Sequence, residues 1–317
     1  MRRSKTPPGP PSPALPCRCA GVCYPREREE LLDYVEEFFG QPDGPAWTPD
    51  AEASLPPQRG LVTPHIDFRV STLGYARAFE GWLKRPAADT YLILGVGHRG
   101  GLPWSLDARP YLTPFGRVEA AAGLIKEITS GAGFPLAEPS AHVGEHSVEF
   151  PVVLLQALRT LRGIERPFTF VPVLCGGLFD DVATGRPPAP GSELDHLAEA
   201  IAPVVERMGP DLQVIVSIDG CHFGPRFDHK YKVDPARLKE CREWEDVLWR
   251  HAEARDLDGF FAHLGRDGNA RYFDGVGALA LAMKVLGPRF QLRRTRYEQW
   301  FEPGDHSAVT FSSGILE

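Results

Sequence analysis

The chain has 317 residues, of which 24% are charged and 43% hydrophobic, so it is long enough to bury a substantial core. Its 42 acidic and 35 basic side chains give a formal net charge of −7, which leaves no basic stripe for a nucleic-acid backbone and excludes DNA as an expected partner. No segment approaches the roughly 20 apolar residues of a membrane-spanning helix, and the opening residues lead into prolines rather than a signal core. We therefore expect a folded cytoplasmic protein.

Residues 1–16 are rich in proline and poor in apolar side chains, a composition that predicts a disordered tail. Residues 17–317 are predicted to form a single α/β domain, because no internal repeat or strong boundary divides them. Apolar residues recur with helical spacing from Glu27 to Phe39. The stretch 41–57, rich in proline and glycine, then predicts a linker or surface loop.

The middle of the chain alternates short apolar runs with helical patterns. The apolar runs lack strict polar alternation, which is typical of strands buried on both faces, and they span 60–64, 90–94, 168–174 and 212–218. Helical spacing predicts helices at 72–83, 117–129, 147–161, 193–208 and 236–255. Strands separated by helices imply crossover connections, and therefore a mostly parallel central sheet flanked by helices.

The C-terminal part has a different pattern. A predicted helix at 276–286 precedes two extended runs, 290–301 and 307–315. These runs are expected to pair as an antiparallel edge of the same sheet. Because an exposed edge strand can pair with a second copy of itself, this edge would also allow a homo-oligomer.

Three of the predicted buried strands end in turns that carry histidine. His65 follows a proline turn, His98 follows a glycine turn, and Asp219 and His222 lie together after the strand at 212–218. In open α/β sheets, ligands bind outside the carboxyl ends of the strands. We therefore predict that these side chains meet in one crevice.

A second acid–histidine pair, Glu145 and His146, directly precedes a predicted helix. With Ser147 as the N-cap of that helix, the pair would lie at the same edge of the sheet. Imidazole and carboxylate groups together suit Fe, Cu or Zn, so the predicted crevice is a candidate metal site.

Other chemistries have less support. Cys17, Cys19 and Cys23 are closely spaced, but zinc takes four ligands and no matching second cluster follows. The glycine-rich segment 95–101 fits neither the dinucleotide fingerprint nor the Walker pattern. A Ser–His–Asp hydrolase is disfavoured because the sequence has no Gly-x-Ser-x-Gly elbow.

Eight short motifs follow one another in a fixed order from about residue 20 onward. They are Ala20-Gly-Val-Cys-Tyr-Pro25, Thr63-Pro-His65, Ile93-Leu-Gly-Val-Gly-His98, Thr113-Pro-Phe-Gly116, Glu145-His-Ser-Val-Glu149, Val171-Pro-Val-Leu174, Ser217-x-Asp219-x-x-His222-x-Gly224, and Asp305-x-Ser307 with Ser312-Ser-Gly314. In this order they resemble the motifs of the Memo family, which includes bacterial proteins of the AmmeMemoRadiSam system, protein B.

The resemblance implies a fold similar to that of the class III extradiol dioxygenases. It also implies iron or copper bound by two histidines and a cysteine, and the two histidines correspond to His65 and His98. At the position of the cysteine, the segment 271–275 has Asp274 instead. Two histidines and one carboxylate are the ligand set of non-haem Fe(II) sites. We therefore expect Fe(II) at His65, His98 and Asp274, with Cu or Zn as alternatives.

Two alternatives concern the missing cysteine. Asp67 stands where the family motif has glycine, and on a continued strand it would share a side with His65, so it competes with Asp274 as the carboxylate ligand. The second alternative is that the loss of the cysteine abolishes metal binding altogether, which would leave a metal-free protein.

The expected function is that of a metal-dependent oxidoreductase, similar to a dioxygenase, acting on an unknown small molecule or peptide. Protons would be moved by His222, oriented by Asp219, or by His146, paired with Glu145. The alternative is a non-catalytic peptide-binding or redox-signalling protein that uses the same crevice.

Overall fold

The computed structural model describes residues 13–45, 58–287 and 290–317. These residues form eleven strands: β1 (Leu15–Pro16), β2 (Gly60–Thr63), β3 (Thr90–Val96), β4 (Trp104–Leu106), β5 (Tyr111–Thr113), β6 (Gly116–Ala120), β7 (Thr169–Cys175), β8 (Leu212–Ser217), β9 (His222–Phe223), β10 (Leu292–Glu302) and β11 (Ser307–Leu316). The helices of the same residues are α1 (Arg28–Gly40), α2 (Thr72–Leu83), α3 (Ala122–Ala132), α4 (His146–Leu161), α5 (Phe179–Thr184), α6 (Glu193–Met208), α7 (Pro235–Ala254), α8 (Leu257–Gly265) and α9 (Val276–Val285).

The strands form one sheet in the order β1-β5-β6-β7-β3-β8-β2-β11-β10, with β4 added on β7 and β9 on β11. The central strands β6, β7, β3, β8 and β2 run parallel to one another. At one end, β11 pairs antiparallel with both β2 and β10. The predicted α/β fold, with a mostly parallel sheet and an antiparallel C-terminal edge, is confirmed.

Helices cover the central strands. The helix α4 contacts β3 and β8, with α1 packed beside it, whereas α9 contacts β7, β3 and β8 and packs against α6. Every residue of β3 and β8 is buried. This burial explains why both strands are apolar runs without polar alternation, since neither face of the strand meets water.

Most of the predicted elements are present, and one has a different structure. The segment 117–129 is predicted as one helix, but its first part belongs to β6 and only the later part to α3. In β6, the exposed side chains of Arg117 and Glu119 alternate with the buried side chains of Val118 and Ala120. That period of two is the pattern of a strand with one solvent-exposed face. It explains why this part of the segment is a strand and not the predicted helix.

Part of the predicted N-terminal tail lies outside the described residues. Of the predicted tail 1–16, residues 1–12 are not described, but Leu15–Pro16 form β1, which pairs parallel with β5. Ordered structure therefore begins before residue 17, because Leu15 is buried against the core. Most of the predicted linker 41–57 also lies outside the described residues. No helix in the described parts of the chain is long and apolar enough to cross a membrane.

Candidate metal centre

Three of the predicted site residues lie at one edge of the sheet, where central strands end. His65, His98 and Asp219 each lie two residues beyond the end of a strand, namely β2, β3 and β8. Because β2 and β3 both pair in parallel with β8, the three strand ends lie side by side. The topology therefore explains why these three side chains come together.

Three imidazole rings cluster at this edge. The ring centroid of His65 is 5.1 Å from that of His98 and 5.0 Å from that of His146. The rings of His98 and His146 are stacked, with centroids 4.7 Å apart. One ring nitrogen of each histidine lies within 4.8 Å of the others, close enough for a shared metal ion.

Asp274 reaches the same point from the loop before α9. Its Oδ2 is 3.1 Å from Nε2 of His65 and 3.9 Å from Nε2 of His98. Both carboxylate oxygens are buried, and neither has a hydrogen-bond donor among the described residues. A buried carboxylate without donors is costly unless a cation compensates its charge.

The other ring nitrogens of His65 and His98 are already engaged. Nδ1 of His65 lies 3.1 Å from the carbonyl oxygen of Ser217, and Nδ1 of His98 lies 3.0 Å from Oε1 of Glu145. A carbonyl or carboxylate oxygen only accepts, so each Nδ1 carries the proton and donates. In the neutral rings, both Nε2 lone pairs are therefore free to face Asp274.

These contacts fit a metal ion held by two histidines and one carboxylate. Two Nε2 lone pairs and an unpaired carboxylate oxygen converge, and each histidine is oriented from behind by an acceptor. This is the usual arrangement around a metal-bound histidine, where the acceptor on Nδ1 sets the tautomer and the direction of the ring.

Asp219 has a different partner from the one predicted. Its Oδ1 accepts hydrogen bonds from the backbone N–H groups of His65 at 2.9 Å and Ile66 at 3.1 Å. Nδ1 of His222 lies instead 3.2 Å from the carbonyl oxygen of Gly220 and 3.3 Å from that of Tyr272. Asp219 therefore positions His65, and the prediction that it orients the ring of His222 is wrong.

Glu145, rather than Ser147, is the N-cap of α4. Its Oε1 accepts the backbone N–H of Ser147 at 3.0 Å and lies 3.5 Å from Nδ1 of His146. The hydroxyl of Ser147 is used elsewhere, because it accepts from the N–H of Val96 at 3.0 Å and donates to the carbonyl of Val96 at 3.1 Å. Ser147 thus joins the start of α4 to the end of β3, a link that the sequence did not reveal.

Asp67 does not reach the site. The strand β2 ends at Thr63, so the condition on which Asp67 would share a side with His65, a strand continued to residue 67, is not met. Oδ1 of Asp67 accepts from the backbone N–H and from Nε of Arg69, both at 2.9 Å. This local ion pair explains why Asp67 is not the carboxylate beside His65.

The buried charges shift the protonation equilibria of the site. Burial alone would lower the pKa of His98, but the carboxylates of Asp274 and Glu145 outweigh it and raise that pKa to about 10. Burial, together with the positive charges of His65 and His98, lowers the pKa of His146 to about 3. Despite its burial, Glu145 has a pKa of about 2, because His98 stabilises its ionised form. At neutral pH without a metal, His98 is therefore charged and His146 is neutral.

A cavity of about 540 Å³ begins beside the site at Gly97, the residue before His98. Its wall includes Phe179, whose side chain is 80% exposed, and the carboxylates of Asp180 and Asp181. No single stretch of sequence marks this cavity, because its walls come from segments far apart in the chain. The local signals are the glycines at 97, 100–101 and 176–177, which line it and allow a close backbone approach.

Comparisons with known proteins give one consistent result. A family profile described as Memo-like protein matches residues 16–313. A MEMO1 family protein of Thermococcus kodakarensis is 26% identical over 290 residues, which cover 89% of this chain and 91% of that protein. One from Pyrococcus abyssi is 27% identical over 277 residues, 85% of this chain and 87% of the relative. One from Methanopyrus kandleri is 29% identical over 228 residues, or 70% and 72% of the two chains.

Proposed function

The chain belongs to the family of Memo-like proteins, and we propose that it is a metal-dependent oxidoreductase that binds one Fe(II) ion through His65, His98 and Asp274. The observation that carries this proposal is the contact between Nε2 of His65 and Oδ2 of Asp274 at 3.1 Å. Because Nδ1 of His65 donates to a carbonyl, the neutral ring and the carboxylate face each other with lone pairs only. A metal ion between them removes this conflict, as a proton on Nε2 of His65 does in the metal-free protein, where Asp274 helps to raise the pKa of that ring.

The carboxylate favours iron over copper. The resemblance to Memo proteins implies a cysteine thiolate at the position of Asp274, and a thiolate suits Cu(I) better than a carboxylate does. Two histidines and a carboxylate instead suit Fe(II), and when bound this way Fe(II) supplies open positions for O₂ and for a substrate oxygen. Zn²⁺ is the main competitor, because it also accepts nitrogen and oxygen ligands.

Residues around the ligands are suited to move protons. His146 is neutral at neutral pH because burial and the neighbouring histidines lower its pKa to about 3, and its ring stacks on that of His98. The neutral ring can therefore accept a hydrogen bond from a substrate hydroxyl at the site, but a pKa of about 3 makes it a weak base while His65 and His98 are charged. His222 offers a second group, since its Nδ1 is held by backbone carbonyls and its Nε2 has no hydrogen-bond partner among the residues that the structure describes.

Metal analysis of protein purified without chelator tests the proposal. We expect about one iron per chain, lost in the His65→Ala/His98→Ala double variant and retained in His196→Ala, a control on α6. The proposal fails if no transition metal is found and if Fe(II), added anaerobically, leaves the melting temperature unchanged.

Replacing the carboxylate tests the choice of metal. In Asp274→Cys, the site would regain the sulfur ligand of the family pattern, so we expect preference to move from Fe(II) towards Cu(I). Competition between the two ions, followed by metal content, measures the change. Equal preference in the wild type and the variant would contradict a role for Asp274 as ligand.

A second candidate function is non-catalytic recognition of a peptide or small molecule in the cavity beside Gly97. The exposed side chains of Phe179 and Leu102 both line the cavity and favour this function, because grouped apolar side chains in water, unlike single ones, are a common feature of binding surfaces. The carboxylates of Asp180, Asp181 and Glu193 line the same cavity. We therefore expect neutral or cationic ligands, and repulsion of a phosphotyrosine peptide.

Calorimetric titration of cationic and phosphorylated versions of one aromatic peptide measures this preference. Phe179→Ala should weaken binding of the cationic peptide. Tighter binding of the phosphorylated peptide would contradict the charge argument. The metal analysis above is independent of this result, so the two candidate functions can fail separately.

A further inference from the structure

A second cluster of potential ligands lies behind the first site. Cys221, Cys241 and Glu245 are all completely buried, and one ligand atom of each lies within 4.8 Å of the other two. Cys241 and Glu245 are four residues apart on α7 and so share one face of the helix. Cys221 faces them from the connection between β8 and β9.

The backbone around Cys221 is held firmly against β11. The N–H of Cys221 donates to Oγ1 of Thr310 at 2.6 Å, and its carbonyl accepts from the N–H of Thr310 at 2.9 Å. The N–H of Gly220 donates to the carbonyl of Thr310 at 2.7 Å. The position of the Cys221 side chain is therefore set by three hydrogen bonds to β11.

The buried carboxyl group of Glu245 is only partly compensated by hydrogen bonds, so a cation would stabilise it. The hydroxyl of Thr310 donates to its Oε1, and Sγ of Cys241 lies 3.7 Å from the same oxygen. Its Oε2 is buried and has no hydrogen-bond partner among the described residues. If Glu245 is ionised, a charge is buried without full compensation; if it is protonated on Oε2, that O–H lacks an acceptor.

We propose that Cys221, Cys241 and Glu245 bind a Zn²⁺ ion as a structural site separate from the centre at His65, with the two sulfurs and both carboxylate oxygens of Glu245 as the four donor atoms that zinc takes. Two thiolates and a carboxylate are common zinc ligands, and together they carry three negative charges. Zinc leaves one of these charges uncompensated. Arg294, whose Nη2 pairs with Asp246, offsets part of this charge, because its positive charge also acts on Glu245 and its buried Nη1 has no hydrogen-bond partner in the described parts of the chain.

The ion would join three elements that carry or support the first site. Ligands from α7 and from the connection after β8 would be tied together, and Thr310 links both to β11. That same connection carries Asp219, which holds the backbone of His65. The zinc would therefore stabilise the loop that positions the first centre, without contacting substrate.

The absence of sulfur from the first centre makes the two sites separable by experiment. The starting protein is the His65→Ala/His98→Ala variant, produced with Zn²⁺ as the added metal, so that zinc reports the second site. We expect about one zinc per chain, and an X-ray absorption spectrum with sulfur neighbours at about 2.3 Å. Zinc without a sulfur shell, or no zinc, would overturn the proposal.

Matched variants identify the sulfur ligands. Adding Cys241→Ser should abolish the sulfur-bound zinc, whereas Cys175→Ser, another buried cysteine outside the cluster, should retain it. The pair Cys19→Ser/Cys23→Ser controls for the N-terminal cysteines and should also retain it. If Cys241→Ser does not fold by circular dichroism, Glu245→Gln serves instead, since it keeps the size of the side chain and removes its charge.

Glu245→Gln is expected to lower the zinc content several-fold. Full zinc content in Glu245→Gln, or a Cys221–Cys241 disulfide found by mass spectrometry of the unreduced protein, would contradict the proposal. These results do not depend on iron at the first centre, because both histidines of that centre are absent from the tested protein.

Discussion

At the scale of single residues, the chemistry of the first centre depends on Asp274. Its buried carboxylate has His65 and His98 as close neighbours and no hydrogen-bond donor among the described residues. Its negative charge raises the pKa of both histidines in the metal-free protein. The same negative charge would attract a metal ion. The metal affinity and the pKa values of the two histidines therefore both depend on the carboxylate of Asp274.

Asp274→Asn should lower the pKa of His98 from about 10 in the metal-free protein, because the neutral amide no longer stabilises the imidazolium. The pKa of His65 should fall as well. Histidine signals in an NMR pH titration measure both changes. Asp67→Asn is the matched control, since that carboxylate pairs with Arg69, and an equal shift in the control would refute the assignment.

Glu145→Gln should weaken metal binding by about 10–100-fold, the usual effect of losing an acceptor behind a ligating histidine. The carboxylate of Glu145 accepts from Nδ1 of His98 at 3.0 Å and holds the ring in place. Anaerobic Fe(II) titration measures the change. Glu127→Gln, in an exposed ion pair with Arg207, is the control, and wild-type affinity in Glu145→Gln would contradict the role of Glu145.

At the scale of elements, β3 and α4 must keep a fixed distance for His98 and His146 to stack. The hydroxyl of Ser147 bonds both polar backbone groups of Val96, and a Cβ on Gly95 would approach that hydroxyl to 2.6 Å. Helix and strand therefore approach more closely than a larger residue at position 95 would allow.

Ser147→Ala should lower the free energy of unfolding by about 1–3 kcal/mol, because the buried N–H of Val96 loses its acceptor. Metal affinity should fall as well, since the turn that carries His98 follows Val96. Urea unfolding and Fe(II) titration measure the two effects. The exposed Ser140→Ala is the control, and unchanged stability in Ser147→Ala would show that the link has no energetic role.

Most long elements were predictable, since their patterns are local. The helices at 72–83 and 193–208 have the predicted bounds, and β3 and β8 begin where they were predicted. The strand β6 was missed because its alternation covers only five residues. The shortest elements, such as β9 and α5, have too few residues for any periodicity to be recognised.

At the scale of the whole molecule, buried neutral histidines make the metal-free protein sensitive to acid. Burial lowers the pKa of His142 from 6.5 to about 4. The unfolded chain therefore binds the proton more readily, so the stability contributed by His142 is complete above about pH 6.5 and is lost as the pH falls towards 4. His146 acts in the same direction.

Urea unfolding at pH 7 and pH 4.5 should show a loss of stability, with up to about 3 kcal/mol from His142. His98 adds only a small change of opposite sign, because it stays protonated in the folded protein while the unfolded chain takes up this proton near pH 6.5, so its stabilising effect is complete below that pH. His142→Asn should reduce the pH dependence. The same slope in the wild type and in His142→Asn would contradict the assignment to this side chain.

The homo-oligomer suggested by the C-terminal strands stays a prediction. The strand at the sheet edge is β10, and α7 covers part of it, with Glu253 accepting the backbone N–H of Arg294. Analytical ultracentrifugation of the wild type would decide whether the protein forms a homo-oligomer.

The sequence alone determined which strands are buried and which histidines follow them, because apolar runs and turn residues are local signals. His65 and His98 could be named from the strand ends, and the family motifs pointed to Asp274. Only the tertiary structure shows which of the two candidate carboxylates lies beside His65 and His98, and which groups Asp219 contacts. Asp67 is bound by its neighbour Arg69, whereas Asp274 arrives from a loop far along the chain. Which partner a carboxylate contacts depends on competition between residues nearby in sequence and residues brought close by the fold. The packing of the whole sheet decides the outcome.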